Sequence, residues 1–185
     1  MRAAFVAALL VALPGCATAQ QSPVPAIGAS PLCAPGVSLG KVVIAPLTRW
    51  RADQKEPQVR EAIAQKAIEA VAPALSCAAS VEVLSIAADA QAAESIAAAK
   101  AAAAQTALLI RINELGPVTI ISFPALWSTY SDVQFTLDAI DVTTGETLRS
   151  IPHQRRKGGA FEVRGLDPLQ GEMEQALKDV LLGGN

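Results

Sequence analysis

The spacing of hydrophobic residues changes character several times along this chain. Ala3 to Leu13 is an unbroken apolar run behind Met1-Arg2. Val42-Val43-Ile44-Ala45-Pro46-Leu47 is a short β-branched run closed by proline, which predicts a strand starting at about Gly40. Val59, Ile63, Ala67, Val71 and Leu75 then recur at fours with Ile68 beside them, while Arg60, Glu61, Lys66 and Glu69 point elsewhere. This is the stripe of an amphipathic helix, opened by Pro57 and ended or kinked by Pro73. Val81 to Ile86 alternates in part and predicts a second strand. Gln91 to Ala104 is almost all alanine, with Ile96 its one large apolar residue. It reads as a helix capped by Asp89, the alternative being a low-complexity linker. A third strand, Ala107 to Ile112, follows at once.

Beyond this point strands succeed strands. Gly116-Pro117 predicts a break before a fourth strand, Val118 to Phe123, and Pro124 to Ser131 reads as a loop holding Trp127 and Tyr130. Val133, Phe135, Leu137 and Ala139 alternate with Gln134, Thr136 and Asp138, as in a half-buried strand. Asp141 to Glu146 is a turn, with Gly145 where a positive φ is needed. Thr147 to Ile151 returns as the partner strand, limited by Pro152, and Gly158-Gly159 predicts another break. Asp167-Pro168 opens a last helix whose stripe is Leu169, Met173, Leu177 and Val180 and whose stop is Gly183. The order is β-α-β-α-β-β-β-β-α. Three strands joined by helical crossovers are expected to be parallel, and the later ones to form hairpins. The fold class is therefore α/β (α+β), a mixed sheet in a single domain over residues 39–183.

The apolar run at the start adds an address. A charged start, a short apolar middle and a small-residue cleavage site make residues 1–19 an export signal, too short for a permanent span. Two cleavage readings remain open. Leu13-Pro14-Gly15-Cys16 resembles a lipobox, cut before Cys16 with acylation there, although Pro14 departs from the usual small or aliphatic residue. Ala17-Thr18-Ala19 suits an ordinary signal peptidase, which would release a soluble periplasmic protein at Gln20. The lipoprotein reading is the preferred one, and Ala17 after the cysteine implies, by the sorting rule that this resemblance imports, the periplasmic face of the outer membrane. Residues 20–38 hold Pro23, Pro25, Pro31 and Pro35 and read as an extended tether. In either case Cys33 and Cys77 remain, and an even remainder in an exported chain predicts a disulfide.

Composition narrows the function. Hydrophobic residues at 51% against 17% charged allow a core, and a net charge of −2 argues against nucleic acid as a partner. His153 is the one histidine, has no second ligand at metal spacing, and is expected to face solvent beside Arg155, Arg156 and Lys157. No nucleophile elbow or phosphate loop occurs, so neither enzyme activity nor a cofactor is expected. Aromatics are only 4%, which draws attention to Trp50 between Arg49 and Arg51, and to Trp127 with Tyr130. In loops, these residues are candidates to bind a partner, or else to cap the ends of the sheet.

The element order, with Val42 to Leu47 at the first strand, Ala103 to Ile110 at the entry to the third and Asp141 to Leu148 at the hairpin, resembles a family of bacterial envelope lipoproteins. That family includes the curli-secretion and pellicle-export lipoproteins, the lipoprotein activators of penicillin-binding proteins and the amino-terminal domain of the Tol propeller protein. Ala104, Gln105 and Leu47 depart from its motifs. The resemblance implies an anticodon-binding-like fold and a non-catalytic accessory or adaptor role in an envelope protein complex serving export, transport or cell-wall assembly. It does not imply a pore, because no insertion is long enough for membrane hairpins. The competing class is a soluble periplasmic binding module for a small ligand or glycan.

Overall fold

The computed structural model describes residues 30–87, 90–121, 123 and 127–183. Cys16, the expected signal and Asp89 lie outside them. Five strands form one sheet: β1 (Gly40–Thr48), β2 (Ala78–Val83), β3 (Thr106–Ile120), β4 (Ser128–Asp141) and β5 (Thr147–Ala160), in the order β2-β1-β3-β4-β5. The first three are parallel, and β3-β4 and β4-β5 are antiparallel hairpins, so the sheet is mixed as expected. Helix α1 (Pro57–Val71) links β1 to β2, α2 (Ala92–Ala101) links β2 to β3, and α3 (Leu169–Lys178) closes the chain.

The helices divide between the two faces. On one face Val42, Ile44, Leu108, Ile110, Ile112, Phe135 and Leu137 pack with Ile68 and Val71 of α1 and with Leu169, Met173 and Leu177 of α3. On the other, Val43, Ala45, Leu47, Ala107 and Leu109 meet Ala99 of α2. Strands covered on both sides are apolar at every position, which is why β1 and the first half of β3 read as continuous runs. Alanine lets α2 lie close to its strands.

Several local expectations change. β3 runs straight through Gly116-Pro117, and the expected fourth strand is its second half. Proline is tolerated there because β1 ends at Thr48, opposite Ile112, leaving the β1-facing edge of β3 without a strand beyond that point. Gly116 is required because the guanidinium of Arg60 occupies the space a Cβ would take. Ser128 to Ser131, expected as loop, begin β4, so Tyr130 is a strand residue. β5 likewise continues past Pro152 and Gly158-Gly159, Pro152 being exposed on an edge strand. The buried stripe of α1 is Arg60, Ala64, Ala67, Ile68 and Val71, while Val59 is 45% exposed, because Arg60 turns inward to the open edge of β3. The cap of α2 is Gln91, reciprocally bonded with Glu94. The Asp141 turn matches expectation: its Oδ1 accepts from the backbone of Thr143 and Thr144 at 2.8 Å each, and Gly145 has φ +73°.

The folded unit reaches back before Gly40. Leu32 is buried, its N–H donates to Val180 O at 3.0 Å, and Cys33 N–H donates to Leu181 O at 2.9 Å. The Cys33–Cys77 disulfide, with Cα atoms 5.2 Å apart, ties this segment to the start of β2. The stretch expected as tether is thus docked from Pro31 onward.

Candidate functional site

Two regions stand out, both toward the carboxyl ends of the parallel strands. The first is a cleft at the end of β1. There α1 departs along one face of the sheet while α2 arrives on the other, so their starts diverge and leave a crevice, the place where open α/β sheets bind ligands. Its volume is about 530 Å³ and it is lined by Thr48, Arg49, Trp50, Pro57, Gln58, Glu61, Ala90 and Gln91. The Trp50 indole N–H donates to Glu61 Oε1 at 3.0 Å, and Thr48 Oγ1 donates to the same oxygen at 3.2 Å. Trp50 is half-buried against the core, whereas Arg49 is exposed and makes no side-chain bond among the described residues. Arg51, expected to join them, turns instead to Glu114 at 3.3 Å and Asp53 at 3.6 Å.

The second region is the far end of an arm made by β3, β4 and β5. Beyond Ile112, β3 continues for eight residues without β1, about 25 Å of strand. At its tip Ile121, Phe123, Trp127, Phe161 and Val163 are exposed, Phe123 at 96%. Trp127 meets Phe161 edge-to-face, with centroids 5.3 Å apart, and Phe161 N–H donates to Trp127 O at 3.1 Å. Phe161 holds φ +61°, a conformation that costs a bulky residue energy and that tends to mark functional sites. From Leu115 to Ser131 the chain has no charged residue.

The register therefore separates the two tryptophans that were candidates for a single surface. Trp50 lies just past Thr48, which pairs with Ile112, and Trp127 just before Ser128, which pairs with Ile120. Tyr130 belongs to neither region, since its ring lies under Arg156, 5.6 Å from guanidinium carbon to centroid. The basic run is divided as well: Arg155 pairs with Asp179 at 3.0 Å and Arg156 with Asp132 at 2.5 Å. The expectation that His153 faces solvent is overturned. It is half-buried with its ring 5.3 Å from that of Phe135, and burial pushes its pKa down, Asp179 acting in the opposite sense and Arg155 adding to the fall. The sequence reading missed Glu61 and Gln58 of the cleft. The available signal was topological, the start of a helix following the end of a strand at the point where the crossovers diverge.

Among the described residues no group of three or more His, Cys, Asp and Glu is placed to hold a metal, and no helix is long and apolar enough to cross a membrane. No protein-family model matches the chain, and no curated protein does. Solved structures are similar to it in part. The PelC dodecamer from Paraburkholderia phytofirmans is 19% identical, with 79% of this chain and 88% of that chain covered at a TM-score of 0.49. Lipoprotein GNA1162 from Neisseria meningitidis is 18% identical, covering 76% and 95% at 0.48. The LpoB C-terminal domain from Salmonella enterica is 14% identical, covering 68% and 90% at 0.35. One of the three is a lipoprotein by name. At such identities and scores the likeness assigns no task.

Proposed function

We propose that the chain is a non-catalytic, periplasm-facing envelope lipoprotein, anchored through lipid on Cys16, and that it joins a larger envelope complex through the tip of the β3-β4-β5 arm. The observation that carries this reading is the exposed apolar tip. Large apolar residues exposed together at one end of a domain mark an interaction site, and aromatic residues are the anchors that most often dominate one. The export signature and the lipobox-like Leu13-Pro14-Gly15-Cys16 support the address. The buried acids support a structural role: Asp132, Asp138 and Glu172 are each paired with an arginine.

The test is crosslinking from intact cells, comparing the unmodified protein with Phe123→Ser, Trp127→Ala and, as a control away from the tip, Val59→Ser. Loss of a crosslinked partner in both tip variants alone supports the assignment. Retention in all three removes the tip as the docking element. Intact mass of the membrane fraction tests the anchor, since an unlipidated chain beginning at Gln20 would exclude it. Turnover of a substrate by the purified protein would sink the non-catalytic reading.

A further inference from the structure

We infer that the cleft at the end of β1 is a binding site for a neutral sugar ring, independent of the arm tip. The cleft is of the size that holds small molecules, which is about 300–1,000 Å³. It is also built in the way such sites are built, from a rigid platform with a few fixed polar groups. The platform is Trp50. Its indole is held from below by the core and at its edge by the bond to Glu61, so its orientation is set before any ligand arrives. An indole face set in this way suits the C–H face of a pyranose, a flat ligand surface that is apolar and rimmed by hydroxyls.

The polar groups fit the rim. Thr48 and Trp50 both donate to Oε1 of Glu61, which fixes the carboxylate and leaves its second oxygen as an acceptor for a ligand hydroxyl. Arg49 offers donors only, and the Gln58 amide offers both a donor and an acceptor. Sugar hydroxyls need this mixture, because each one both donates and accepts. The ligand is taken as neutral because, among the described lining residues, the Arg49 cation and the Glu61 anion balance and the other side chains carry no charge. A phosphate or carboxylate ligand would meet Glu61, and a simple amine would meet Arg49. Because two neutral donors orient Glu61 and Arg49 balances its charge, its second oxygen is prepared to accept from a ligand hydroxyl. The divergence of α1 and α2 keeps the mouth open, so the ring can belong to a longer glycan that continues into solvent.

The experiment uses the mature protein carrying Trp127→Phe. Because the chain has two tryptophans, Trp50 is then its single reporter. Its emission is titrated with glucose, N-acetylglucosamine and galactose, with glycine and alanine as zwitterion controls. The expected result is a saturable change with at least one sugar, half-complete at about 1 mM or below. Adding Glu61→Gln, which keeps an acceptor for Trp50 and Thr48, weakens binding about tenfold, because the ligand loses a charge-assisted bond. Arg49→Gln, a change at an exposed residue, weakens it by a smaller factor. Circular dichroism stays unchanged in both variants, and with Trp127 restored the crosslinks made by the arm tip also stay unchanged, so failure here is distinguishable from failure of the docking role. Linear, non-saturating emission with every sugar up to ~100 mM overturns the inference. Saturation by the zwitterions at equal concentrations also overturns it, as does unchanged affinity in both variants.

Discussion

The β2-β1-β3 half of the sheet and the β3-β4-β5 arm share one strand, β3, yet they treat apolar surface in opposite ways. In the parallel half, helices cover both faces, and the strand residues from Val42 to Ala45 are almost fully buried. In the arm, the sheet outruns its helices, polar and ionised side chains pair on it, and the last apolar residues face outward. A helix-covered sheet buries whatever its strands carry, and an uncovered one must either be polar or have a partner. The first half thus builds a crevice at the end of β1, and the second presents an exposed apolar tip.

The largest effect is expected where the parallel half is held together. Reducing the Cys33–Cys77 bond, or replacing both residues by serine, frees a loop of 44 residues and should cost about 4 kcal/mol in the chain-entropy model. Urea denaturation with and without reductant measures it, and an unchanged midpoint would show that the docking of Leu32 alone holds this segment.

Arg60 is the joint between the two halves. From α1 it donates to Lys55 O at 2.9 Å and also to Leu115 O on the arm. Arg60→Met keeps the apolar stem but leaves two carbonyls without a donor, at about 2–3 kcal/mol. Hydrogen exchange should then show β3 beyond Ile112 opening ahead of β1. If the two strands lose protection together, the arm is not separately held.

His153 gives the comparison a pH dependence. Its folded pKa lies below the unfolded value of about 6.5, so the neutral ring is the one the fold accepts. Its contribution is complete above pH 6.5 and is lost as pH falls toward the folded value, where the unfolded chain binds the additional proton. Thermal melts between pH 7.5 and 5 should show this decline, and His153→Phe should flatten it. The smallest stability effect belongs to the tip. Phe123→Ser touches nothing buried and should move the melting free energy by less than about 0.5 kcal/mol while lowering crosslinking. A large destabilisation would mean that the tip is part of the core.

Features that depend on neighbours in the chain were legible from residue types alone. The Asp141 turn follows from an acid that bonds its own backbone and a glycine at positive φ. The stripe of α3 follows from apolar spacing, and the disulfide from an even pair of cysteines bracketing one strand and its returning helix. Features that depend on what lies across the sheet were not. Pro117 and Pro152 read as strand breakers, but each lies on an edge that needs no donor, and only the length of the neighbouring strand decides that. Arg60 reads as a solvent-facing residue on a helix, but an unpaired carbonyl on β3 draws it inward. His153 sits in a charged run, yet strand alternation and Phe135 bury it. Trp50 and Trp127 look equivalent in sequence, both being aromatics in expected loops. The end of β1 at Thr48 and the continuation of β3 to Ile120 place one in a cleft and the other on an exposed tip, because strand register is set by long-range pairing that local sequence does not encode.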